Sequence, residues 1–545
     1  MERKKISRSR TLATGPIVAI VVAALAIGCG SGTGPQPQPG SRAANVLVLM
    51  TDDQTNADLR VMPRTRRLLE SKGTAFTHLY TSYPLCCPSR TTFLTGQYAH
   101  NTGVQGNFPD TDGGGYLNLR DPGRTLPVWL RSAGLDTAVV GKWPEFPPPG
   151  VPPGWTHWWT TTESTIAHYY DYSLNWTSGG IRSFGSDASD YNTTVLTRLA
   201  KRLVERSARR HHRFFVWVSY TAPHFGFGRD DAASKRCGGV PEPGKAAGQT
   251  AVPAPADASA FDRAPLPRSP SFDEADVRDK PPFLRRPRLD HGDLREIRTD
   301  YGCRLASLLA VDRSVATLVA ALRRTGELDR TLVLFTSDNG FLLGQHREAA
   351  GKNLPYEEAI RVPLLMRGPG IPGGDSVSTP VANVDLAPTI LDAVGASEPS
   401  SERRPVDGQS LLPLTTGERD ADRAVLIEGR DDAAPRGPSG AFESLSYDGV
   451  RTSHYLYVEW HRAVRSSSAA AAATPLGAGP VVGRELYDTE RDPYELINRV
   501  NADAYRPARR KLAAVLARLE PCAGSRCLES VSIPAPTGSK RFSTG

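Results

Sequence analysis

The hydrophobic pattern of the chain predicts short strands that are apolar on both faces. Four of them are clear, at residues 45–50, 137–140, 214–218 and 331–335. Continuous apolar runs of this kind are typical of strands buried in a parallel sheet. Between residues 305 and 322 the apolar positions recur at helical spacing, which predicts a core helix leading into the fourth strand. A helix that crosses between parallel strands in this way indicates an α/β fold.

Each predicted strand ends in polar side chains that are capable of chemistry. Ligands of such sheets bind beyond the carboxyl ends of the strands, so we expect these side chains to share one site. Two adjacent acids at the end of the first strand repel each other unless a cation such as Ca²⁺ or Mg²⁺ neutralises them, although a solvated loop pair explains the acids alone equally well. The side chains concerned are Asp52, Asp53, Lys142, His224, Asp338 and Asn339, and Lys352 follows in the next loop.

A pair of cysteines, Cys86 and Cys87, stands directly before Pro88, Ser89 and Arg90. The pattern turns helical after them, which places the cysteines at a helix N-terminus. Free backbone N–H groups and the helix dipole favour an anion there, and an arginine adds a cation with bidentate geometry. In exported proteins a cysteine pair is otherwise most often structural. The combination predicts chemistry on an oxyanion.

The N-terminus has the pattern of an export signal. Residues 1–10 are basic, residues 17–27 are apolar, and Gly28 and Cys29 follow. Residues 26–29 resemble a bacterial lipoprotein box, so we expect a signal and lipobox at 1–29, lipid attachment at Cys29 and a flexible tether at 30–42. The protein would then be an exported lipoprotein anchored to the cell surface by its lipid, with simple secretion as the alternative.

Composition adds a domain division. The chain has 545 residues and a net charge of +8, which a solvated surface explains, so we expect no nucleic-acid partner. After about residue 400, alternating runs at 454–460 and 485–487 predict antiparallel strands, and apolar spacing at 512–519 predicts a closing helix. We expect a catalytic domain at 43–400 with a surface insertion at 238–282, a C-terminal subdomain at 401–530 and a disordered tail at 531–545. Cys522 and Cys527 are spaced to close a small disulfide.

The string Cys86-X-Pro88-Ser89-Arg90, followed by Leu-Thr-Gly at 94–96, resembles the sulfatase signature. Residues 45–103, 301–340 and 337–372 are also similar to the corresponding sulfatase segments. The resemblance implies an alkaline-phosphatase-like architecture, in which helices flank a large mixed sheet and a smaller α+β subdomain, made of an antiparallel sheet and a helix, follows. It also implies that a formylglycine-generating enzyme oxidises Cys86 to Cα-formylglycine.

The resemblance further implies a residue for each part of the reaction. A hydroxyl of the hydrated aldehyde attacks sulfur, the alcohol leaves, and sulfate is lost as the aldehyde re-forms. Arg90 would hold the formylglycine, Lys142 and Lys352 would bind sulfate oxygens, and His224 would help to protonate the leaving oxygen. The divalent cation, Ca²⁺ or alternatively Mg²⁺, would be held by Asp52, Asp53, Cys86, Asp338 and Asn339.

One position departs from the family pattern. Many sulfatases read Gly-Lys-Trp-His, with the histidine as base for the elimination step, whereas Pro144 stands here. The branch resembling N-acetylglucosamine-6-sulfatases also lacks that histidine. His100 and His346 are candidates for the base, with a structural role favoured for both. Aromatic clusters at 153–159 and 169–174 would either line a sugar or aryl pocket or belong to the core.

The expected substrate is therefore a sulfated small molecule or glycan, cleaved at a sulfate monoester. Two alternatives remain at this point. Related proteins use the same metal and nucleophile on phosphorus, so a phosphonate or phosphate ester hydrolase is one of them. The other is a catalytically inactive surface protein that binds sulfated glycans, which the Pro144 departure keeps open.

Overall fold

A computed structural model describes residues 43–109, 113–237, 250–398, 405–418, 423–431, 445–462, 477 and 479–536. The predicted export signal, the lipid attachment at Cys29 and the tether lie outside these residues. So does most of the predicted tail.

The structure contains sixteen strands in its described part. They are β1 Asn45–Thr51, β2 Thr74–Tyr80, β3 Asp136–Gly141, β4 His157–Thr160, β5 Tyr172–Asn175, β6 Ile181–Phe184, β7 Phe214–Ser219, β8 Thr331–Ser337, β9 Arg361–Arg367, β10 Asp375–Val377, β11 Val381–Ala382, β12 Arg423–Asp431, β13 Leu445–Arg451, β14 Tyr455–Arg462, β15 Val481–Asp488 and β16 Glu529–Ser530.

The four strands predicted from their apolar runs are β1, β3, β7 and β8, and they lie side by side in one sheet. The order of this sheet is β10-β2-β9-β8-β1-β7-β3-β4, with β11 also paired to β2. Strands β8, β1, β7, β3 and β4 run parallel to one another, whereas β9 is antiparallel to both β8 and β2. The sheet is therefore mixed, as the family resemblance implied, with the parallel order at its centre.

Helices cover both faces of this sheet because successive residues of a strand point to opposite sides. In β1, Leu47 and Leu49 pack with the helices on one face, and Val46 and Val48 pack with those on the other. The first face carries Asn192–Arg210 and the core helix predicted at 305–322, which extends over His291–Arg324. The second carries Cys86–Thr95, Leu126–Ser132 and Leu386–Val394.

The remaining α-helices are short, apart from the last one. They are Pro63–Thr65, Ala99–Thr102, Ala232–Arg236, Glu357–Ile360, Leu412–Thr415 and Arg506–Leu519. Single turns of 3₁₀ helix lie at Asn56–Val61, Tyr116–Asn118, Glu163–Thr165, Ala188–Asp190, Pro255–Asp257, Pro282–Leu284, Leu328–Arg330, Asn383–Asp385, Asp503–Tyr505 and Gly524–Cys527, and Arg66–Glu70 is π-helical.

The C-terminal part forms a second, fully antiparallel sheet in the order β15-β14-β13-β12-β16. The helix Arg506–Leu519 packs on it through Leu512, Val515 and Leu516, and the predicted antiparallel strands and closing helix are thus both present. The exact boundary near residue 400 stays a prediction.

The segment 238–282, which its composition predicts to be a surface insertion, is described from residue 250 onward. Ala251, Val252 and Lys280 are almost completely buried, whereas Arg263, Arg268 and Arg278 are exposed. Cys237, just before the segment, forms a disulfide with Cys303 in the core helix. The described part of the segment is thus partly buried and partly exposed, and the bounds of the insertion stay a prediction. Cys522 and Cys527 form the small disulfide that their spacing indicated.

Candidate active site

The four neighbouring parallel strands end at one edge of the main sheet, and their polar side chains meet there. Asp52 and Asp53 follow β1, Asp338 and Asn339 follow β8, Lys142 follows β3, and His224 lies in the loop after β7. Atoms of Asp52, Asp53, Cys86 and His224 that can bind a metal all lie within 4.8 Å of one another. The structure thus brings together the residues whose convergence the strand ends predicted.

Cys86 is the first residue of the helix Cys86–Thr95 and points into this group. Leu85 before it is extended, and Gly96 ends the helix with a φ of +66°, which favours glycine. The Cys86 Sγ lies 2.9 Å from Lys352 Nζ, 3.5 Å from Lys142 Nζ and 3.7 Å from Asp52 Oδ1. The sulfur therefore sits between two ammonium groups and a carboxylate.

Cys87 faces different surroundings. Its Sγ lies 3.6 Å from the backbone oxygen of Glu145, and its N–H donates to Asn107 Oδ1 at 2.9 Å. The side chain packs in the hydrophobic core on the face of the sheet that Leu126–Ser132 and Leu386–Val394 also cover. Two adjacent cysteines in one helix are thus distinguished by position, one in the polar site and one in the core.

Arg90 is fully buried one turn further along the same helix and lies between two carboxylates. Its Nη2 donates to Asp52 Oδ2 at 3.1 Å, and its Nε donates to Asp338 Oδ2 at 2.8 Å. Its Nη1 donates to Ser219 Oγ at 2.6 Å. The guanidinium therefore ties the helix that carries Cys86 to the ends of β1, β8 and β7.

The two lysines are paired with the two aspartates after β1. Lys142 Nζ lies 2.5 Å from Asp52 Oδ2, and Lys352 Nζ lies 2.5 Å from Asp53 Oδ1. Burial opposes the charge on both amines, but the carboxylates and Cys86 outweigh it and hold the pKa of each lysine above its usual range. Burial raises the pKa of the Cys86 thiol despite these amines, so the sulfur is protonated at neutral pH and weakly nucleophilic.

Asp53 Oδ2 and Asn339 Oδ1 are among the buried oxygens of the site that lack a hydrogen-bond partner within the described residues. The Asn339 amide donates to Asp53 Oδ1 at 2.6 Å, which leaves its own oxygen directed elsewhere. Burial and the neighbouring aspartates raise the pKa of Asp338 to about 6, although Arg90 opposes this. Crowded carboxylates with unpaired oxygens are what a hard divalent cation stabilises, so Asp52, Asp53, Asp338 and Asn339 fit such an ion.

His224 reaches the site from the loop after β7. Its Nδ1 lies 2.6 Å from the Phe225 carbonyl oxygen, and because a carbonyl only accepts, Nδ1 carries the hydrogen. Its Nε2 lies 3.8 Å from Asp53 Oδ2. Burial and Lys142 lower the pKa of His224 to about 4, so the imidazole is neutral at neutral pH and directs a lone pair into the site.

The other two histidine candidates lie in separate hydrogen-bond networks. His100 bonds Glu428 at 2.7 Å and the Cys522 carbonyl at 2.9 Å, and His346 Nδ1 bonds Glu274 at 2.7 Å. Among the described residues, neither side chain contacts a member of the Cys86 group. The aromatic clusters at 153–159 and 169–174 belong to the core: Trp155, Trp158, Trp159, Tyr169, Tyr170 and Tyr172 are all buried.

Sequence reasoning missed three polar residues around the site. Ser219 accepts from Arg90, and Arg304 Nη2 donates to the Asp53 carbonyl at 2.5 Å from the core helix, to which the pattern assigned no chemistry. The third is Glu145, whose Oε1 lies 3.5 Å from Lys142 Nζ. Of the three, only Arg304 had a signal in the sequence. It lies among the apolar positions of the core helix, and a buried cation needs a polar partner.

Comparison with known proteins identifies the family. The sulfatase family model matches residues 44–396. The Drosophila melanogaster extracellular sulfatase SULF-1 homolog is 32% identical over 379 residues, which is 68% of this chain but 31% of that protein. The corresponding Caenorhabditis elegans protein is covered over 49% of its length, so the chain spans half or less of these two relatives.

Human N-acetylglucosamine-6-sulfatase is 32% identical over 420 residues, covering 73% of this chain and 70% of the human protein. Among solved structures, a protein in complex with its substrate D-glucosamine-2-N,6-O-disulfate matches with a TM-score of 0.67 and 23% identity over 88% of this chain and 97% of that one. This likeness agrees with the alkaline-phosphatase-like fold. The chain therefore belongs to the sulfatase family.

Proposed function

We propose that the protein hydrolyses sulfate monoesters of aryl or sugar alcohols to the alcohol and sulfate. One observation carries the proposal: Cys86 lies at a helix N-terminus within 3.5 Å of two lysine amines, beside buried carboxylate and amide oxygens that fit a divalent cation. This arrangement suits an anionic ester whose charge grows on its oxygens during cleavage. Family membership supports the same reaction.

The nucleophile of the proposed reaction is Cys86 after oxidation to formylglycine by a formylglycine-generating enzyme. The hydrated aldehyde supplies one hydroxyl to attack sulfur and a second whose proton loss releases sulfate. Lys142 and Lys352 bind the sulfate oxygens and stabilise the charge that develops on them. Arg90 holds Asp52 and Asp338 in place and orients the helix that carries the nucleophile.

Calcium is the proposed cation, held by Asp52, Asp53, Asp338 and Asn339. The Asn339→Leu variant keeps nearly the same volume but removes a buried oxygen ligand. We expect it to bind Ca²⁺ at least about tenfold more weakly in calorimetric titration and to lose most of the calcium-dependent rise in melting temperature. Asn175→Leu is the control, because Asn175 lies outside the site, on β5. Its side chain makes one long hydrogen bond, of 3.5 Å to Thr160 Oγ1, among the described residues. Equal calcium affinity in the two variants would exclude Asn339 as a ligand.

His224 is the proposed proton donor to the leaving oxygen. Its imidazole is neutral in the free enzyme, takes up a proton from solvent when the sulfate anion binds, and gives that proton to the leaving oxygen. We expect His224→Gln to slow hydrolysis of an alkyl sulfate by about 10²- to 10³-fold, but of 4-nitrophenyl sulfate by less than tenfold, since nitrophenolate leaves without protonation. His212→Gln is the control, because that imidazole is 55% exposed. An equal loss with both substrates would contradict a role in leaving-group protonation.

The test of the reaction class is a comparison of 4-nitrophenyl sulfate with 4-nitrophenyl phosphate, using protein made with a formylglycine-generating enzyme. We expect kcat/KM for the sulfate to exceed that for the phosphate by at least about 10²-fold. A faster phosphate reaction would favour the phosphonate or phosphate hydrolase. Binding of sulfated glycans without turnover, by protein that carries the aldehyde, would favour an inactive scaffold.

Sulfated amino sugars are the proposed natural substrate class. The human relative is named N-acetylglucosamine-6-sulfatase, and one structural neighbour was solved with a glucosamine disulfate. Residues 1–29 of the sequence are the basis for proposing that the protein is exported and anchored by a lipid at Cys29. The names of the extracellular sulfatase relatives agree with export. Fractionation of cells that express the full chain, with and without Cys29→Ser, tests the anchoring.

A further inference from the structure

The C-terminal sheet contains a row of three acidic residues on adjacent strands. Glu428 of β12 is opposite Asp448 of β13, which is opposite Glu459 of β14. Residues directly opposite in an antiparallel pair share a face, and like charges there destabilise the sheet. Glu428 accepts from His100 at 2.7 Å, and Glu459 accepts from Arg484 at 3.0 Å. Among the described residues, no lysine or arginine contacts the side chain of Asp448.

A histidine lies beside the carboxylate of Asp448 on the same face. His461 Nε2 is 3.8 Å from Asp448 Oδ2, and both residues are almost completely buried. His461 Nδ1 lies 3.1 Å from the Gly479 carbonyl oxygen, so Nδ1 carries the hydrogen and Nε2 of the neutral ring has a lone pair. Neither Nε2 nor Oδ2 has a hydrogen-bond partner among the described residues. A carboxylate oxygen and a ring nitrogen without described hydrogen-bond partners therefore face each other, and Gly477 packs so closely beside them that a Cβ there would lie 2.5 Å from Asp448 Oδ2.

A third ligand comes from another element. Glu520 directly follows the helix Arg506–Leu519, and its carboxylate lies within 4.8 Å of the ligand atoms of Asp448 and His461. We propose that Asp448, His461 and Glu520 bind a divalent transition-metal ion of the Zn²⁺ type, which fastens the last helix to the C-terminal sheet. The site shares no residue with the active site.

The donor set and its spacing favour such an ion over the alternatives. Imidazole nitrogen with carboxylates suits Zn²⁺, whereas Ca²⁺ and Mg²⁺ prefer oxygen alone. A proton does not bridge 3.8 Å without movement of the side chains, but two metal bonds of about 2.0–2.2 Å span it.

The test is a titration of the full chain with Zn²⁺ in excess Ca²⁺ at pH 7.5, with calorimetry and metal content after dialysis as readouts. We expect about one zinc per chain and a rise in melting temperature of several degrees. In Asp448→Asn the new amide can donate to His461 Nε2, which keeps the fold intact. We expect this variant to bind zinc at least about 10²-fold more weakly, with unchanged hydrolysis of 4-nitrophenyl sulfate.

A matched control is available beside the ends of β14 and β15 in the same subdomain. His454 and Glu490 form a similar pair at 3.5 Å, but their side chains are 53% and 68% exposed, so Glu490→Gln should bind zinc like the parent. Wild-type protein that retains no zinc would overturn the proposal. Equal zinc affinity of the parent and Asp448→Asn would also overturn it, because both share the active site and differ only at the proposed ligand.

Discussion

The Cys86→Ala variant should fold like the parent protein and lose hydrolysis of 4-nitrophenyl sulfate by at least about 10⁴-fold. Cys86 is the one thiol within reach of both Lys142 and Lys352 among the described residues, and alanine offers neither a nucleophile nor a precursor of one. The side chain is buried, but the change is small, so far-ultraviolet circular dichroism and melting temperature should stay close to those of the parent. Steady-state kinetics measure the loss.

Two companion variants separate this effect from a structural one. Cys87→Ala should keep most of the activity, because that thiol packs in the core and contacts only the Glu145 backbone oxygen in the site region. Cys86→Ser supplies one hydroxyl but not the second needed for release, so it should complete at most one turnover and retain the sulfate. Full activity in Cys86→Ala, or complete loss in Cys87→Ala, would contradict the assignment of Cys86 as the nucleophile.

The Arg90→Ala variant should lose both stability and activity. Removing the guanidinium leaves Asp338 without the cation bonded to it at 2.8 Å and leaves Asp52 with Lys142 alone among the described residues, and removing one partner of a buried ion pair costs about 3–5 kcal/mol in the free energy of unfolding. Activity should fall by at least about 10³-fold, because the helix that carries Cys86 loses its connection to three strand ends. Urea denaturation in excess Ca²⁺ measures the free energy of unfolding.

Arg66→Ala is the matched control for this loss. Arg66 pairs with Glu70 at 2.7 Å, but the two side chains are 51% and 36% exposed, so its removal should cost less than about 1 kcal/mol. If the two variants lose similar amounts of free energy of unfolding, the buried pairs of Arg90 contribute no more to stability than an exposed ion pair. Unchanged activity in Arg90→Ala would contradict its role in the site.

The convergence of the candidate active-site residues was predictable because most of them follow strands with a strong hydrophobic pattern. The strands that precede Asp52, Lys142 and Asp338 are continuous apolar runs, and strands buried in a parallel sheet end at a common edge. The position of Cys86 followed from the helical pattern after it. Local patterns of this kind require no knowledge of distant contacts, which is why the site could be assembled from the sequence.

Contacts between distant segments were not predictable in the same way. Arg304 reaches Asp53 across 251 positions of sequence, and the strand orientation of β9 depends on its neighbours rather than on its own pattern. The burial of Val252 likewise depends on the cluster against which it packs, while its segment has the proline and glycine content of a surface loop. The spacing of hydrophobic and polar residues does not indicate which distant residue each side chain contacts.

The most direct test is mass spectrometry of the tryptic peptide 73–90 from protein made with a formylglycine-generating enzyme. We predict that Cys86 is found as the aldehyde while Cys87 remains a thiol, because only Cys86 faces the polar site. If both residues remain cysteines under conditions that convert a control sulfatase, the proposed nucleophile is wrong. A scaffold that binds sulfated glycans without cleaving them would then be the better description of the protein.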